Sequence, residues 1–193
     1  MAAPAYNLLS AEEYLAIERA SDTKHEYVDG RVYAMAGTSL AHALIANNIA
    51  GSLWTKLSGS GCNAVTNDLR VSADSEAYFY PDVVVFCKGG KWRDEGMDTL
   101  ESPVVVFEVL SDSTEVRDRS VKFERYQKAE SLQMYVLVAQ DHVSVEVFRR
   151  ASAELWEYFA LRDLNDVLSL EAVGAALPVS EVYRDVEFSS GTS

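Results

Sequence analysis

Long apolar runs are missing from this 193-residue sequence. None approaches the roughly 20 residues that a membrane-spanning helix needs. Met1 to Asn7 also lacks the basic cluster and apolar segment of a secretory leader. The expectation is therefore a cytoplasmic protein with no membrane partner. Cysteine is scarce too: Cys62 and Cys87 lie far apart, outside any Cys-x-x-Cys spacing, and are expected to be reduced core thiols. The histidines His25, His42 and His142 are scattered without metal-ligand spacing, which argues against a zinc centre. A glycine-rich phosphate loop, a Gly-x-Ser-x-Gly elbow and a dinucleotide fingerprint are all absent, so nucleotide kinases, serine hydrolases and nicotinamide enzymes gain no support.

Positive charge is also in short supply. Lys and Arg number 17 against 30 Asp and Glu, a net charge of −13, which opposes broad attraction to a phosphate backbone. The imbalance is uneven, with eight acidic residues beyond Ala151 beside only Arg162 and Arg184. At a Debye length of ~8 Å, a basic patch in the middle of the chain can act while that acidic end is screened.

What is present fits a globular chain: 48% hydrophobic and 24% charged residues can build a core without metals or cross-links. One domain over 1–193 is expected, with a core over 8–186 and a flexible tail over 187–193. Ser10 and Glu13 form a capping-box pair before a helix that carries Tyr14, Leu15 and Ile17 and ends near Ala20. Residues His25 to Ala36 read as two strands around the Asp29-Gly30 turn. From Thr38 or Ser39 to Leu57, apolar residues including Leu40, Leu44, Ile49, Leu53 and Trp54 recur at helical intervals, with Gly59 as terminator.

Cys62 to Val71, Asp82 to Cys87 and Pro103 to Leu110 are strand-like, and the last two are expected at the middle of the sheet. Lys88 to Ser102 is expected to be an exposed loop able to move. Glu115 to Ala129 reads as a helix directly after the third strand. Gln133 to Ala139, Ser144 to Arg150 and Leu155 to Phe159 read as further strands, and Pro178 to Val186 as a short terminal helix.

Two carboxylates interrupt this apolar framework. Glu108 breaks the run Val104 to Leu110 on the face shared with Val106 and Leu110, and a charge there needs a cation, a metal or a proton. Asp82 heads Val83-Val84-Val85-Phe86, so pairing of the two strands would bring both acids together as a site for a hard cation. An internal salt bridge for Glu108 and a turn role for Asp82 are the plainer readings. Asp118, Lys122 and Tyr126 recur at i, i+4 and i+8 on the following helix as a polar stripe facing the acids. The plainer readings are a solvated surface for Asp118, Lys122 and Arg125, and an aromatic packed against the sheet for Tyr126.

Pro81-Asp82, followed by Glu108-Val109-Leu110 at a strand end, resembles the PD-(D/E)XK motif of restriction-type nucleases. Leu110 stands where that motif has lysine. Together with Lys24-His25-Glu26-Tyr27-Val28-Asp29-Gly30, His42, Ser111, and Lys122 with Tyr126, the order of motifs over Leu8 to Val186 resembles the Uma-type family of bacterial restriction-endonuclease-like proteins. The resemblance implies an α/β restriction-endonuclease-like core, a central mixed sheet flanked by helices, with an N-terminal helix and hairpin. It implies a magnesium-dependent endonuclease acting on DNA, with Mn2+ as substitute metal. A homodimer is expected because cutting both strands of a duplex commonly uses two copies of one site, and two-fold pairing is the usual symmetry. Asp82, Glu108 and the Val109 carbonyl would hold the metal and Lys122 would supply the displaced lysine. Glu26, His42, Asp118 and Tyr126 would be accessory residues. The alternatives are a non-catalytic nucleic-acid-binding or assembly module on this fold, and a metal-dependent phosphoesterase for smaller substrates.

Overall fold

The computed structural model describes residues 8–35 and 37–188. In chain order the elements are α1 (Ala11–Arg19), β1 (His25–Val28), β2 (Arg31–Ala34), α2 (Leu40–Lys56), β3 (Cys62–Thr66), β4 (Arg70–Asp74), β5 (Ala77–Phe79), β6 (Val83–Cys87), β7 (Thr99–Leu100) and β8 (Val105–Leu110). They continue with α3 (Glu115–Arg117), a π-helical turn (Asp118–Lys122), α4 (Phe123–Tyr126), β9 (Met134–Ala139), β10 (Val145–Arg150), β11 (Trp156–Leu161), β12 (Val167–Leu170), β13 (Ala175–Pro178) and α5 (Val179–Val182).

The main sheet has the order β11-β10-β9-β8-β6-β3, with β8 and β9 parallel and the other pairs antiparallel. This is the mixed α/β architecture expected. Val-rich β8 is central because both its faces are covered. On one face Val105, Phe107 and Val109 meet Ile45, Ile49 and Leu53 of α2 and the C-terminal β12, β13 and α5. On the other, Val106 and Leu110 meet Tyr126, Tyr135 and residues of a second sheet.

That second sheet, of order β2-β1-β5-β4-β7, contains strands the sequence did not announce. Short β5 and β7 fall in segments rich in polar and turn residues, and the expected strand over Cys62 to Val71 is cut between β3 and β4 by a turn at Asn67 and Asp68. Helix α1 packs on this sheet through Tyr14 and Leu15 against Tyr27 and Tyr78, whereas Ile17 points to solvent. The Ser10–Glu13 capping box is present. Asp29 and Gly30 both take positive φ, 47° and 82°, as a two-residue hairpin turn requires.

Helix α2 starts at the Ser39 cap and buries Ile45, Asn48, Ile49 and Leu53. Leu40 and Trp54 lie off that stripe and are exposed. The segment 88–102 is mostly irregular and, outside β7, exposed or half-buried, as expected, but it carries β7 and is anchored by contacts: Arg19 pairs with Asp94 and Asp98, and Trp92 bridges to Leu100. Phe188, placed by the sequence in the tail, packs edge-on against Tyr183 at 5.5 Å. Residues 189–193 of that tail lie outside the described residues.

The cysteine expectation is overturned. Cys62 and Cys87 are register partners across the antiparallel β3–β6 pair and form a disulfide. Their separation of 25 residues hid a proximity that only strand pairing creates.

Candidate active site

Glu108 is placed by strand alternation. In β8 it points to the face shared by Val106 and Leu110, between the main sheet and the helical segment that follows. That segment is helical from Glu115 to Tyr126, but its middle turn is π rather than α. Such a bulge changes the angular step between residues and is frequent where function demands a particular side-chain aim. Here it aims Asp118 and Lys122 inward, and both are buried with Tyr126. The solvated-surface reading therefore fails for Asp118 and Lys122, whereas Tyr126 is packed, as the plainer reading of an aromatic on this helix expects. Arg125 lies outside this cluster, half-buried and paired with Asp29 and Asp74.

Lys122 is the hub. Its Nζ lies 3.0 Å from Glu26 Oε1, 3.1 Å from Glu108 Oε1 and 3.0 Å from Asp118 Oδ1. Glu26 arrives from β1 and is buried, and its Oε2 pairs with Arg117 Nη1 at 2.8 Å. The three carboxylates thus outnumber their two cations. Although Lys122 is close, Glu108 Oε1 and Asp118 Oδ1 make no aligned hydrogen bond among the described residues and are buried. Burial drives the Glu108 carboxyl well above its ordinary range against the pull of Lys122, with Asp118, Asp82 and Glu26 adding to the rise. Burial opposes the Lys122 ammonium as well, but Glu108, Glu26 and Asp118 outweigh it and hold the amine well above its usual value.

Asp82 stands beside this cluster at the start of β6, as pairing of Val83 with Phe107 requires. Its Oδ1 is 2.9 Å from His42 Nε2, and its Oδ2 accepts the Val109 N–H at 2.7 Å. His42 therefore touches Asp82 from the first turn of α2, while Val109 meets it through its amide. Tyr126 packs against Phe79 and Tyr135 at 5.3 and 5.5 Å, and its buried hydroxyl has no hydrogen-bond partner among the described residues.

A magnesium ion needs only one or two protein carboxylates when water and substrate phosphate complete its shell. Among the described residues no three His, Cys, Asp or Glu side chains converge to hold a metal by themselves. Glu108 Oε1, 3.1 Å from Lys122 Nζ but without an aligned hydrogen bond among the described residues, lies in a cluster with more carboxylates than cations, which suits a hard divalent cation. These residues fit the metal.

Residues 11–180 match the model of Uma2, described as "Putative restriction endonuclease". The chain belongs to the Uma2 family. Two relatives come from Synechocystis sp. (strain ATCC 27184 / PCC 6803 / Kazusa), both named as uncharacterized proteins. One, slr1290, is 34% identical over 93% of this chain and 94% of its own length. The other, sll1609, is 31% identical over 77% and 85%. A crystal structure of a putative nuclease belonging to DUF820 from Anabaena variabilis ATCC 29413 superposes with a TM-score of 0.75 at 17% identity, covering 91% of this chain and 97% of that one. It shares the fold.

Arg117 and Tyr135 escaped the sequence reading. Arg117 stacks its guanidinium 4.0 Å from the Tyr33 ring centroid, and the Tyr135 hydroxyl donates to the Asp118 carbonyl at 2.9 Å. A helical wheel of 3.6 residues per turn puts Arg117 off the Asp118–Lys122 face, so only the π turn could have revealed it.

Proposed function

We propose that this Uma2 protein is a magnesium-dependent endonuclease that hydrolyses phosphodiester bonds in DNA, with manganese able to substitute. One observation carries the reading. The lysine absent at Leu110 is replaced in space by Lys122, whose ammonium reaches Glu108 at 3.1 Å from the next helical segment.

Asp82 and Glu108 would hold the cation, joined in the expected arrangement by the Val109 carbonyl. When bound, the metal polarises a phosphoryl oxygen and lowers the pKa of water. His42 fixes the Asp82 carboxylate through Oδ1, and the Val109 amide fixes it through Oδ2, so that acid needs no reorganisation before substrate arrives. Lys122 stays protonated among its carboxylates. Its role is to steady Glu108 and place positive charge near the scissile phosphate, as a donor fixed in advance. Glu26 and Asp118 hold the ammonium from the other sides, and Arg117 balances Glu26. The net charge of −13 opposes broad attachment of nucleic acid to the surface at large. Two copies acting together would cut both strands of a duplex.

The test is cleavage of plasmid and linear DNA in Mg2+ or Mn2+ by wild type beside Asp82→Ala, Glu108→Ala and Lys122→Ala. Activity should vanish or fall by orders of magnitude in all three. Cleavage that survives both acid substitutions would refute the site. An inactive but DNA-binding wild type would favour the non-catalytic module, and turnover confined to short phosphoesters the smaller-substrate enzyme.

A further inference from the structure

We infer that the outer edge of β3 is a self-association surface that pairs antiparallel with the same strand of a second copy about Ala64. β3 ends the main sheet. Free edges invite pairing unless charges, proline or covering segments blunt them. The other edges of the two sheets have such guards: Arg31 in β2, Glu157 in β11, and the Trp92 bridge over β7. Cys62-Asn63-Ala64-Val65-Thr66 has no charge and no proline.

The backbone arithmetic makes this edge self-complementary. Bonded and non-bonded pairs alternate along an antiparallel ladder. Lys88 N–H donates to Gly61 C=O at 2.8 Å, so in the register of Cys62 with Cys87 it is Asn63 and Val65 that bond β6. Cys62, Ala64 and Thr66 then turn their backbone groups outward. Two of those groups are satisfied locally: Cys62 N–H donates to Ser60 Oγ at 3.1 Å, and Thr66 C=O accepts from Asp68 N–H at 2.6 Å. What remains is Cys62 C=O, Ala64 N–H, Ala64 C=O and Thr66 N–H. A two-fold axis at Ala64 joins Ala64 to Ala64 in both directions and each Thr66 N–H to the Cys62 C=O of the other copy, leaving none over.

Side chains agree with that register. Opposite Asn67 and Asp68 of one copy fall Gly61 and Ser60 of the other. The Lys88 stem lies over Gly61, since a Cβ there would sit 3.5 Å from Lys88 Cδ. Asp68, with its side chain 80% exposed, would therefore meet Lys88 across the axis, twice by symmetry. Open concavities of about 330 and 850 Å³ flank the strand, both reaching Ala64 and Trp54. Trp54 is 72% exposed, and the concavities leave room for the neighbouring strand's side chains. Neither reaches Glu108, and the pairing stands independently of catalysis.

Light scattering and sedimentation across a dilution series should show a dimer dissociating to monomer. Amide exchange at Ala64 and Thr66 should slow as concentration rises. Asp68→Lys should weaken the dimer about tenfold, as should Lys88→Asp, and the double exchange should restore it. Restoration separates the contact across the axis from loss of the Asp68–Lys24 pair within one chain. A monomer at every concentration overturns the inference. So does a dimer whose Ala64 and Thr66 amides exchange at rates independent of concentration, or a double exchange that restores nothing.

Discussion

Lys122 and Glu108 are partners with opposite consequences for stability, because the pocket around them carries more carboxylates than cations. Removing the ammonium leaves Glu26, Glu108 and Asp118 facing one another in a buried site with Arg117 as the remaining cation. Lys122→Met should therefore cost about 3–5 kcal/mol, the usual penalty for stranding buried charge. Glu108→Gln removes one of the surplus charges instead and should leave the urea midpoint unchanged or higher, while abolishing the proposed cleavage. Urea unfolding of both variants decides this. Equal losses would make Glu108 a structural counter-ion of Lys122 rather than an acid held in reserve for a cation.

At the scale of elements, segment 88–102 is held to α1 and β4 by charge. Asp98 lies 2.7 Å from Arg19 and 3.1 Å from Arg70, which is buried and bonds Thr99 and Tyr80. The Arg19 hydrogen bond, against some burial and with help from Thr99 and Arg70, holds the Asp98 carboxyl well below the usual range. Because its folded pKa is depressed, the group stabilises fully above the ordinary aspartate value of about 3.9. That contribution fades as pH falls toward the depressed value. Asp98 is partly exposed, so salt should weaken the effect. Thermal midpoints of Asp98→Asn should lie below wild type at neutral pH and converge with it in acid. A constant gap down to the lowest pH would show that the amide fails sterically.

The same contrast between local and distant determinants decides what could be read from the sequence. Caps, the Asp29-Gly30 turn, the β8 alternation and the apolar stripe of α2 are local, and each was legible. Glu108 and Asp82 stood out because a carboxylate in or at an apolar strand violates its surroundings. Glu26 and Arg117 gave no such signal, since their burial depends on a second sheet and a π turn that period-counting does not see. The Cys62–Cys87 pair was invisible for the same reason: its cause is register, not spacing.

For the molecule as a whole, that disulfide is the covalent link between the outermost strand and its neighbour. It closes a loop with a sequence separation of 25 residues containing the second sheet's β4 and β5 as well as Asp82. Without it β3 depends on one ladder with β6 and on its packing beneath α2. Constraining a loop of that length in the unfolded chain is worth about 3.5 kcal/mol on the chain-entropy model. Cys62→Ser/Cys87→Ser, or reduction of wild type with dithiothreitol, should therefore lower the urea midpoint, with thiol titration confirming that both sulfurs were bonded beforehand. The two treatments should agree, because the bond acts mainly on the unfolded state. If the reduced protein unfolds at the wild-type midpoint, the strand is held by its ladder and core alone. The self-pairing edge would then rest on non-covalent structure throughout, and dimerisation should persist under reducing conditions.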